Sequence, residues 1–393
     1  MLHVQQQSNQ ESSVRCSTID SLSKSFKRSI QECAMEPFKD EIIEFTKELI
    51  RIPTVNPSGE HYTECASLLH EKCSQLGLDT TIVECDGLPS IVGGNGRGIL
   101  HFHGHYDVVQ ADKSQFDPYI KNGNLYGRGS SDMKGGIAAM LYALHVLDSP
   151  DITFSVTPDE ETGGIHGVHC LLERSVIAPK AVLMPEVSSN RIWHACRGAL
   201  ALDITVKGKS AHSVYQHLGT NAFEEMLDVA QEFRKIDPGK GTLLLGGALK
   251  GGTQFNMVPE ACSFTIDWRF PPDQALATVK DKVFTIINTM KEKGNPIDTS
   301  ILLETDGFHT SKTEKICTIT HEAVQEIRGT SEFELCRGFL DIRHFAHKGI
   351  PAVAYGPGLL EVAHGPTEYV RIKDLMDAFA IYCLVGRRFI DSS

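Results

Sequence analysis

The stretch Gly98-Ile99-Leu100-His101-Phe102-His103-Gly104-His105 decides the fold, because its apolar residues predict a buried strand that ends in polar side chains. Further apolar segments of strand length lie at 152–156 and 181–184, and apolar residues with helical spacing lie at 134–147. Strands that alternate with helices are typical of an α/β domain with a mostly parallel sheet sandwiched by helices. Ligands bind at the carboxyl ends of such strands, so we expect the functional residues directly after these segments.

The pattern changes at residue 197 and returns to the first type after residue 305. The elements predicted in between are a strand at 199–206, a helix at 221–233, strands at 242–248 and 261–268, a helix at 274–290 and a strand at 301–304. This order predicts a ferredoxin-like α+β domain inserted into the α/β domain. The predicted organisation is an N-terminal extension at 1–36, the main domain at 37–196 and 306–393, and the inserted domain at 197–305.

Composition excludes several classes of protein. The chain has 393 residues, which is enough for two compact domains. Its 38 basic and 50 acidic residues give a net charge of −12, which would repel nucleic acids and anionic membranes. No apolar run approaches the ~20 residues that cross a bilayer. We therefore expect neither a nucleic-acid partner nor a membrane partner.

The cysteines and the N-terminal segment predict a cytoplasmic protein. Eleven cysteines are scattered without a Cys-x-x-Cys pair, which favours reduced thiols over a disulfide framework. Residues 1–36 are polar and lack the apolar core of a secretory signal, so we expect a loosely ordered extension there.

Two segments after predicted strands contain candidate metal ligands. His105 ends the first strand, and Asp107, two residues later, can orient the second ring nitrogen of a histidine ligand. Asp132 lies in the glycine-rich segment Gly127–Gly136, directly before a helix. A surface His-x-Asp pair and a helix cap are the ordinary structural alternatives, so neither segment decides the question alone.

Acidic residues follow the next two strands. Asp159-Glu160-Glu161 comes after strand 152–156, and Glu186 comes after strand 181–184. A solvated turn is the ordinary alternative for such a run, but adjacent carboxylates repel one another unless cations neutralise them. His364, near the C-terminus, would by itself be a surface or core histidine.

Together these residues supply three ligands to each of two divalent ions if one aspartate is shared. The set is His105, Asp132, Glu161, Glu186 and His364. It contains nitrogen and oxygen atoms and no thiolate, which suits Zn²⁺, Co²⁺ or Mn²⁺. Glu160 remains beside the ligand Glu161, and a two-metal site needs such a base for its bridging water.

Three motifs in this order resemble the M20 metallopeptidases, a family that includes acetylornithine deacetylase, succinyl-diaminopimelate desuccinylase, aminoacylase and glutamate carboxypeptidase. The motifs are His103–Val109, Gly127–Gly136 and Asp159–Gly164, and the resemblance runs from about Pro37 to the C-terminus. It implies a catalytic α/β domain and an inserted lid or dimerisation domain. The roles it implies are His105 and Glu186 on one metal, Glu161 and His364 on the other, Asp132 bridging both, Asp107 orienting His105, and Glu160 as general base.

The resemblance also implies roles for the inserted domain of a homodimer. His212 would reach the partner subunit's active site and steady the oxyanion. Asn256 and Arg269 would bind the substrate carboxylate, although a charge at a strand edge is the structural alternative for Arg269. Gly358 would line the pocket near His364.

We therefore predict a metal-dependent hydrolase that removes an N-acyl group from an amino acid or related amine. Two alternatives stay open: an exopeptidase like the dipeptidases or glutamate carboxypeptidase, and a non-catalytic scaffold of the same fold. Glu160 favours an enzyme, and a glutamate at position 186 resembles the deacylases and glutamate carboxypeptidases more than the dipeptidases. Leu340, with Phe339 before it, stands where the family often has a Ser or Thr before the aspartate that corresponds to Asp341, which predicts a more apolar pocket wall.

Overall fold

The computed structural model describes residues 37–393, so the extension predicted at 1–36 lies outside the described residues. In chain order the helices are α1 (37–51), α2 (Tyr62–Gln75), α3 (Lys134–Leu147), α4 (Cys170–Glu173), α5 (Ala222–Phe233), α6 (Leu276–Glu292), α7 (Lys315–Arg328), α8 (Ile342–His347) and α9 (Ile372–Asp391).

The strands of the main sheet are β1 (Thr80–Cys85), β2 (Leu88–Gly93), β3 (Leu100–His105), β6 (Ile152–Thr157), β7 (Val182–Val187), β8 (Ile192–Cys196), β13 (Phe308–His309), β14 (Phe333–Cys336) and β15 (Ala352–Gly356). The inserted sheet contains β9 (Gly198–Lys207), β10 (Thr242–Gly251), β11 (Ala261–Phe270) and β12 (Ile297–Thr305). A small third sheet contains β4 (Tyr119–Lys121), β5 (Asn124–Tyr126) and β16 (Tyr369–Arg371).

Four parallel strands, in the order β6-β3-β7-β15, form the centre of the main sheet. Every residue of β3 is buried, as expected for a strand with parallel neighbours on both sides. β1, β2 and β8 extend this centre with antiparallel pairings. Helices α2, α3 and α8 pack against the sheet, and α3 also packs against α9. The predicted α/β architecture is confirmed, with the parallel part confined to the centre.

The inserted sheet is antiparallel, in the order β10-β11-β9-β12. Helix α6 buries Val279, Val283, Ile287 and Met290, whose spacing puts them on one helix face against this sheet. The side chains of this sheet and of α5 and α6 form a hydrophobic cluster separate from that of the main sheet. The predicted β-α-β-β-α-β order is therefore present, while the boundaries at 197 and 305 stay predictions.

One cysteine pair departs from the sequence expectation. Cys85, at the end of β1, and Cys170, at the start of α4, form a disulfide with their Cα atoms 6.5 Å apart. The prediction that all cysteines are reduced thiols is wrong for this pair. The two residues are separated by 85 positions, so only the packing of α4 beside the β1–β2 hairpin brings them together. The cytoplasmic location stays a prediction.

Between residues 37 and 393, none of the helices combines the length and the apolar character needed to cross a membrane.

Candidate active site and metal centre

The candidate ligands collect at one edge of the main sheet because β3, β6 and β7 are parallel and end together. His105 is the last residue of β3, and Glu160 and Glu161 lie in the turn that follows β6. β7 continues through Val187, so Glu186 lies inside the strand, where the sequence had suggested a position just after it.

Two groups of potential ligands share one carboxylate. The Nε2 atom of His105 lies 3.2 Å from Oδ1 of Asp132 and 3.4 Å from Oε2 of Glu186. The Nε2 atom of His364 lies 3.0 Å from Oδ2 of Asp132 and 3.2 Å from Oε1 of Glu161. Within each group, the ligand atoms lie within 4.8 Å of one another. The structure thus brings together all five side chains that the sequence suggested as ligands.

Four of these atoms are buried and have no hydrogen-bond partner among the described residues. They are Nε2 of His105, Oδ1 of Asp132, Oε1 of Glu161 and Oε2 of Glu186. Unpaired buried polar atoms are costly and uncommon, so a convergent set of them indicates a missing charged ligand. The residues therefore fit a pair of divalent cations, and the mixed nitrogen and oxygen donors suit Zn²⁺, Co²⁺ or Mn²⁺.

The pKa shifts of the candidate ligands also favour a bound cation. Burial raises the pKa of Glu186 to about 8 and also raises the pKa of Glu161. Burial alone would raise the pKa of Asp132, but the close approach of His105 and His364 lowers it overall. The carboxylates of Asp132 and Glu161, at 3.0 and 3.2 Å from Nε2 of His364, raise the pKa of that histidine to about 10. Carboxylates this close to one another stay ionised only if positive charge lies beside them, and otherwise they bind protons. Metal ions would supply that positive charge.

Asp107 connects the histidine ligand to the acidic turn. Nδ1 of His105 donates to the backbone carbonyl of Asp107 and lies 3.2 Å from its Oδ1. The same carboxylate accepts hydrogen bonds from the backbone amides of Glu160 and Glu161 at 3.2 and 3.1 Å, and from Nδ2 of Asn56 at 2.7 Å. This geometry agrees with the predicted orienting role. The sequence analysis did not predict a role for Asn56, because this residue lies outside the recognised motifs.

Glu368 and Arg128 support the shared carboxylate from the other side. Oε1 of Glu368 accepts hydrogen bonds from the backbone amides of Ser131 and Asp132 at 2.9 and 3.1 Å. Its other oxygen pairs with Nη1 of Arg128 at 2.5 Å, and Nη2 of Arg128 donates to the backbone carbonyl of His364. This buried pair connects the segment of Asp132 to the segment of His364. The sequence analysis did not predict a role for Glu368, because this residue lies far from Asp132 along the chain.

Glu160 lies beside the ligands but belongs to neither ligand group. Only 7% of its surface is exposed, and burial raises its pKa well above its usual range. It lines a cavity of about 750 Å³ together with Asp132, Glu161, Glu186 and His364. A buried carboxylate at the wall of a metal site is well placed to exchange protons with a reacting molecule.

Arg269 is the one inserted-domain residue among the predicted site residues that lines this cavity. It lies on β11, an inner strand of the inserted sheet, so the alternative of a charge at a strand edge does not apply. Its Nε atom donates to Oδ1 of Asp267 at 2.8 Å, which holds the guanidinium in place.

His212, Asn256 and Gly358 were also predicted to lie at the substrate, and they do not line the cavity in the described chain. His212 is exposed and pairs across a β-bridge with Met257, next to Asn256. Gly358 instead packs under the shared ligand: its φ is +102°, and a Cβ atom there would lie 2.4 Å from Oγ of Ser131. The expectation that Gly358 lines the pocket is therefore replaced by a packing role beside Asp132, which only glycine can fill.

Comparison with known proteins agrees with this geometry. The profile of peptidase family M20/M25/M40 matches residues 101–388. A probable succinyl-diaminopimelate desuccinylase of Staphylococcus epidermidis is 26% identical, with 89% of this chain and 98% of the relative covered. An acetylornithine deacetylase of Myxococcus xanthus is 29% identical, with 78% and 85% covered.

Among solved structures, an aminopeptidase PepT from Bacillus cereus superimposes with a TM-score of 0.75 over 90% of this chain and 99% of its own, at 21% identity. That likeness concerns the fold. The family match covers most of the chain and contains every proposed metal ligand. The chain therefore belongs to peptidase family M20/M25/M40, whose members hydrolyse amide bonds.

Proposed function

We propose that this protein is a dinuclear metal-dependent deacylase that removes an N-acyl group from an amino acid or a related amine. The observation that carries the proposal is the pair of ligand groups that share Asp132, with the buried carboxylate of Glu160 beside them at the cavity wall. Zn²⁺ is the first candidate for both ions, with Co²⁺ or Mn²⁺ as alternatives.

Two such ions supply polarisation of the scissile carbonyl and a lowered pKa of the attacking water. The protein supplies the proton transfers and the positioning. Glu160 accepts a proton from the water as it attacks, and then delivers a proton to the departing amine. Asp107 holds both the ring of His105 and the backbone of the turn that carries Glu160. Arg269 grips the α-carboxylate of the amine product through two parallel hydrogen bonds.

The relatives support the choice of a deacylase. Two relatives in sequence are named for removing succinyl or acetyl groups. A deacylase substrate needs room for an acyl group on one side of the metals and a carboxylate contact on the other. The cavity offers apolar residues from the main domain and Arg269 from the inserted domain, which supports this division.

We further propose a cytoplasmic homodimer formed through the inserted domain. β10 is an edge strand, and Leu249 on it is 66% exposed. Phe223 and Leu227 on α5 and Phe255 in the loop after β10 are also exposed. Exposed apolar side chains on an edge strand, and on a helix of the same domain, favour association with a second copy. His212 of the partner subunit would then complete the site and stabilise the oxyanion.

A hydrolysis screen tests this proposal. The purified protein, reconstituted with Zn²⁺ or Co²⁺, is offered N-acetyl, N-succinyl and N-aroyl amino acids beside dipeptides, and the released amine is quantified. We expect cleavage of at least one N-acyl amino acid, loss of activity on chelation and recovery when metal is restored. Cleavage of dipeptides alone would favour the exopeptidase. No cleavage by a protein that holds two metal ions would contradict the proposal.

A further inference from the structure

Arg343, in the first turn of α8, has a buried guanidinium that contacts two separate segments of the main domain. Only 5% of the residue is exposed. Its Nη1 atom donates to the backbone carbonyl of Leu340 at 3.0 Å, and its Nη2 atom donates to that of Gly163 at 2.5 Å. The guanidinium also lies 5.0 Å from the centre of the Phe339 ring. Arg343 makes no ion pair with a carboxylate of residues 37–393, so its donors serve to hold backbone carbonyls.

The carbonyl of Gly163 belongs to the acidic turn, residues 159–164, which carries Glu160. The backbone amide of Gly163 donates to the carbonyl of Glu160 at 2.9 Å. The carbonyl of Gly163 accepts the hydrogen bond from Arg343, and Nε2 of His344 lies 3.0 Å from the same oxygen. Arg343 is therefore two hydrogen bonds away from the backbone of Glu160.

The start and the end of the acidic turn are held by different groups. At the start, the carboxylate of Asp107 accepts hydrogen bonds from the backbone amides of Glu160 and Glu161. The end consists of Gly163 and Gly164, which both have positive φ, at +110° and +67°. Glycine has wide conformational freedom, so this end needs an outside contact to keep one conformation. The guanidinium of Arg343 supplies such a contact.

The two glutamates of the turn depend on this contact to different degrees. Glu161 belongs to a ligand group, so a bound metal ion would also hold its side chain. The carboxylate of Glu160 makes neither a hydrogen bond nor an ion pair with any residue of 37–393. Its position is therefore set by the backbone of the turn, and a looser turn would displace Glu160 more than Glu161.

The other contacts of Arg343 lie on a fixed wall of the cavity. Phe339 and Leu340, in the loop between β14 and α8, line the cavity that contains the metal centre. Asp341 follows them directly and pairs with Nε2 of His103, on the central strand β3, at 3.2 Å. Through Arg343 the acidic turn is thus connected to a loop that the main sheet itself anchors.

We propose that Arg343 is a positioning residue that acts through Gly163 and holds Glu160 in place for proton transfer. This inference rests on the proposed function, in which Glu160 is the general base, and adds the residue on which the position of that base depends. Arg343 belongs to neither ligand group and does not line the cavity, so it acts only through the turn. A displacement of 1 Å at a reacting group can cost about a hundredfold in rate, so the effect belongs in kcat.

A double-mutant cycle between Arg343 and Glu160 tests the proposal. Holoenzymes are assayed on an N-acyl amino acid that the wild type cleaves, and their metal content is measured. We expect Arg343→Gln to lower kcat by about tenfold or more and to change KM by less than about twofold, with metal content near two ions per chain. In the Glu160→Gln background the same change should lower kcat by less than about twofold, because the group that Arg343 positions no longer transfers the proton.

A lysine variant and a matched control complete the cycle. Arg343→Lys should keep part of the lost kcat, because an ammonium can still donate to a carbonyl but lacks the planar fork of donors, and it carries the same cycle if Arg343→Gln does not fold. The control is Arg328→Gln, which changes another largely buried arginine, paired with Asp374 and Asp377 away from the cavity. It should lower the free energy of unfolding and leave kcat unchanged.

An equal loss of kcat with and without Glu160 would indicate a general structural role and overturn the inference, as would an unchanged kcat, and the deacylase would stand in both cases. If no N-acyl amino acid is cleaved, the proposed function fails instead, and hydrogen exchange decides about Arg343. The amides of residues 160–164 are hydrogen-bonded, and they should exchange faster in Arg343→Gln than in the wild type or in Arg328→Gln. Unchanged exchange would refute the role.

Discussion

Glu160 and Glu161 are adjacent acids whose surroundings differ. Oε1 of Glu161 points at Nε2 of His364 from 3.2 Å and belongs to a ligand group, whereas Glu160 belongs to none. Both backbone amides donate to the same carboxylate of Asp107, so the turn holds the two side chains in fixed relation to each other. Replacement of each by glutamine keeps the size and removes the charge, which makes the two variants a matched pair.

We predict that Glu160→Gln lowers kcat by about a thousandfold or more, because the variant cannot accept the proton of the attacking water. Its metal content should stay near two ions per chain. Glu161→Gln should instead lose one of the two ions, because a neutral amide is a poorer ligand than a carboxylate. Steady-state kinetics combined with elemental analysis of the purified variants measures both effects. Loss of metal from Glu160→Gln would make that residue a ligand and contradict its assignment as the base.

Residues that follow strands could be predicted from the sequence, and residues that support them could not. His105, Glu161 and Glu186 come at or near the ends of neighbouring parallel strands, so strand prediction alone brings them to one edge. Glu368 reaches the backbone of Asp132 from 236 residues away, and Asn56 reaches Asp107 from 51 residues away. Such contacts depend on how distant loops pack, and no local sequence pattern predicts them.

At the scale of elements, the start of α8 holds the turn that carries the acidic residues. Nη2 of Arg343 and Nε2 of His344 both lie within hydrogen-bond distance of the backbone carbonyl of Gly163, at 2.5 and 3.0 Å. Asp341, just before α8, packs against Gly164 and pairs with Nε2 of His103 at 3.2 Å. The position of Glu160 is therefore coupled to a helix of the second main-domain segment.

His344 makes this contact sensitive to acid. Burial, helped by the positive charges of Arg343 and His169, lowers its pKa to about 4, and Asp341 acts in the opposite direction. Unfolded chains bind the proton near pH 6.5, so between pH 6.5 and 4 the unfolded state holds more protons than the folded one. The free energy of unfolding must then fall as the pH falls through this range.

We predict that His344 accounts for a loss of at most about 3 kcal/mol between pH 7 and pH 4. Chemical denaturation of the wild type and of His344→Gln at several pH values measures it, and glutamine keeps a donor for the carbonyl of Gly163. The difference between the two proteins cancels the titration of other groups. It should shrink or reverse in favour of the variant as the pH falls. A difference that does not depend on pH would show that folding does not lower the pKa of His344.

At the scale of the whole molecule, the order of helices and strands could be predicted from the sequence, but several strand pairings could not. Apolar periodicity located the inserted β-α-β-β-α-β unit, because α5, β11 and α6 each bury one regular face. The same patterns could not show that β2 pairs with β6 or that β8 runs antiparallel to β15. The disulfide between Cys85 and Cys170 also depends on tertiary packing, and single cysteines at wide spacing gave no hint of it.

Whether His212 takes part in catalysis depends on the oligomeric state of the protein. It is exposed and does not line the cavity of its own chain within the described residues. The exposed apolar residues of β10 and α5 lie in the same inserted domain. A symmetric dimer through this domain would let each subunit lend His212 to the other, because an isologous interface repeats every contact twice.

We therefore predict complementation between two inactive variants. Glu160→Gln supplies an intact His212, and His212→Ala supplies an intact Glu160, so a mixed dimer contains one complete site and one with neither residue. Each variant alone should show little activity. Random pairing makes about half of the dimers mixed, so co-expression should restore about a quarter of wild-type activity. Differently tagged chains allow the mixed dimers to be isolated and assayed. Isolated mixed dimers that are no more active than the parents would show that His212 does not act across the interface, and a monomer in solution would refute the dimer itself.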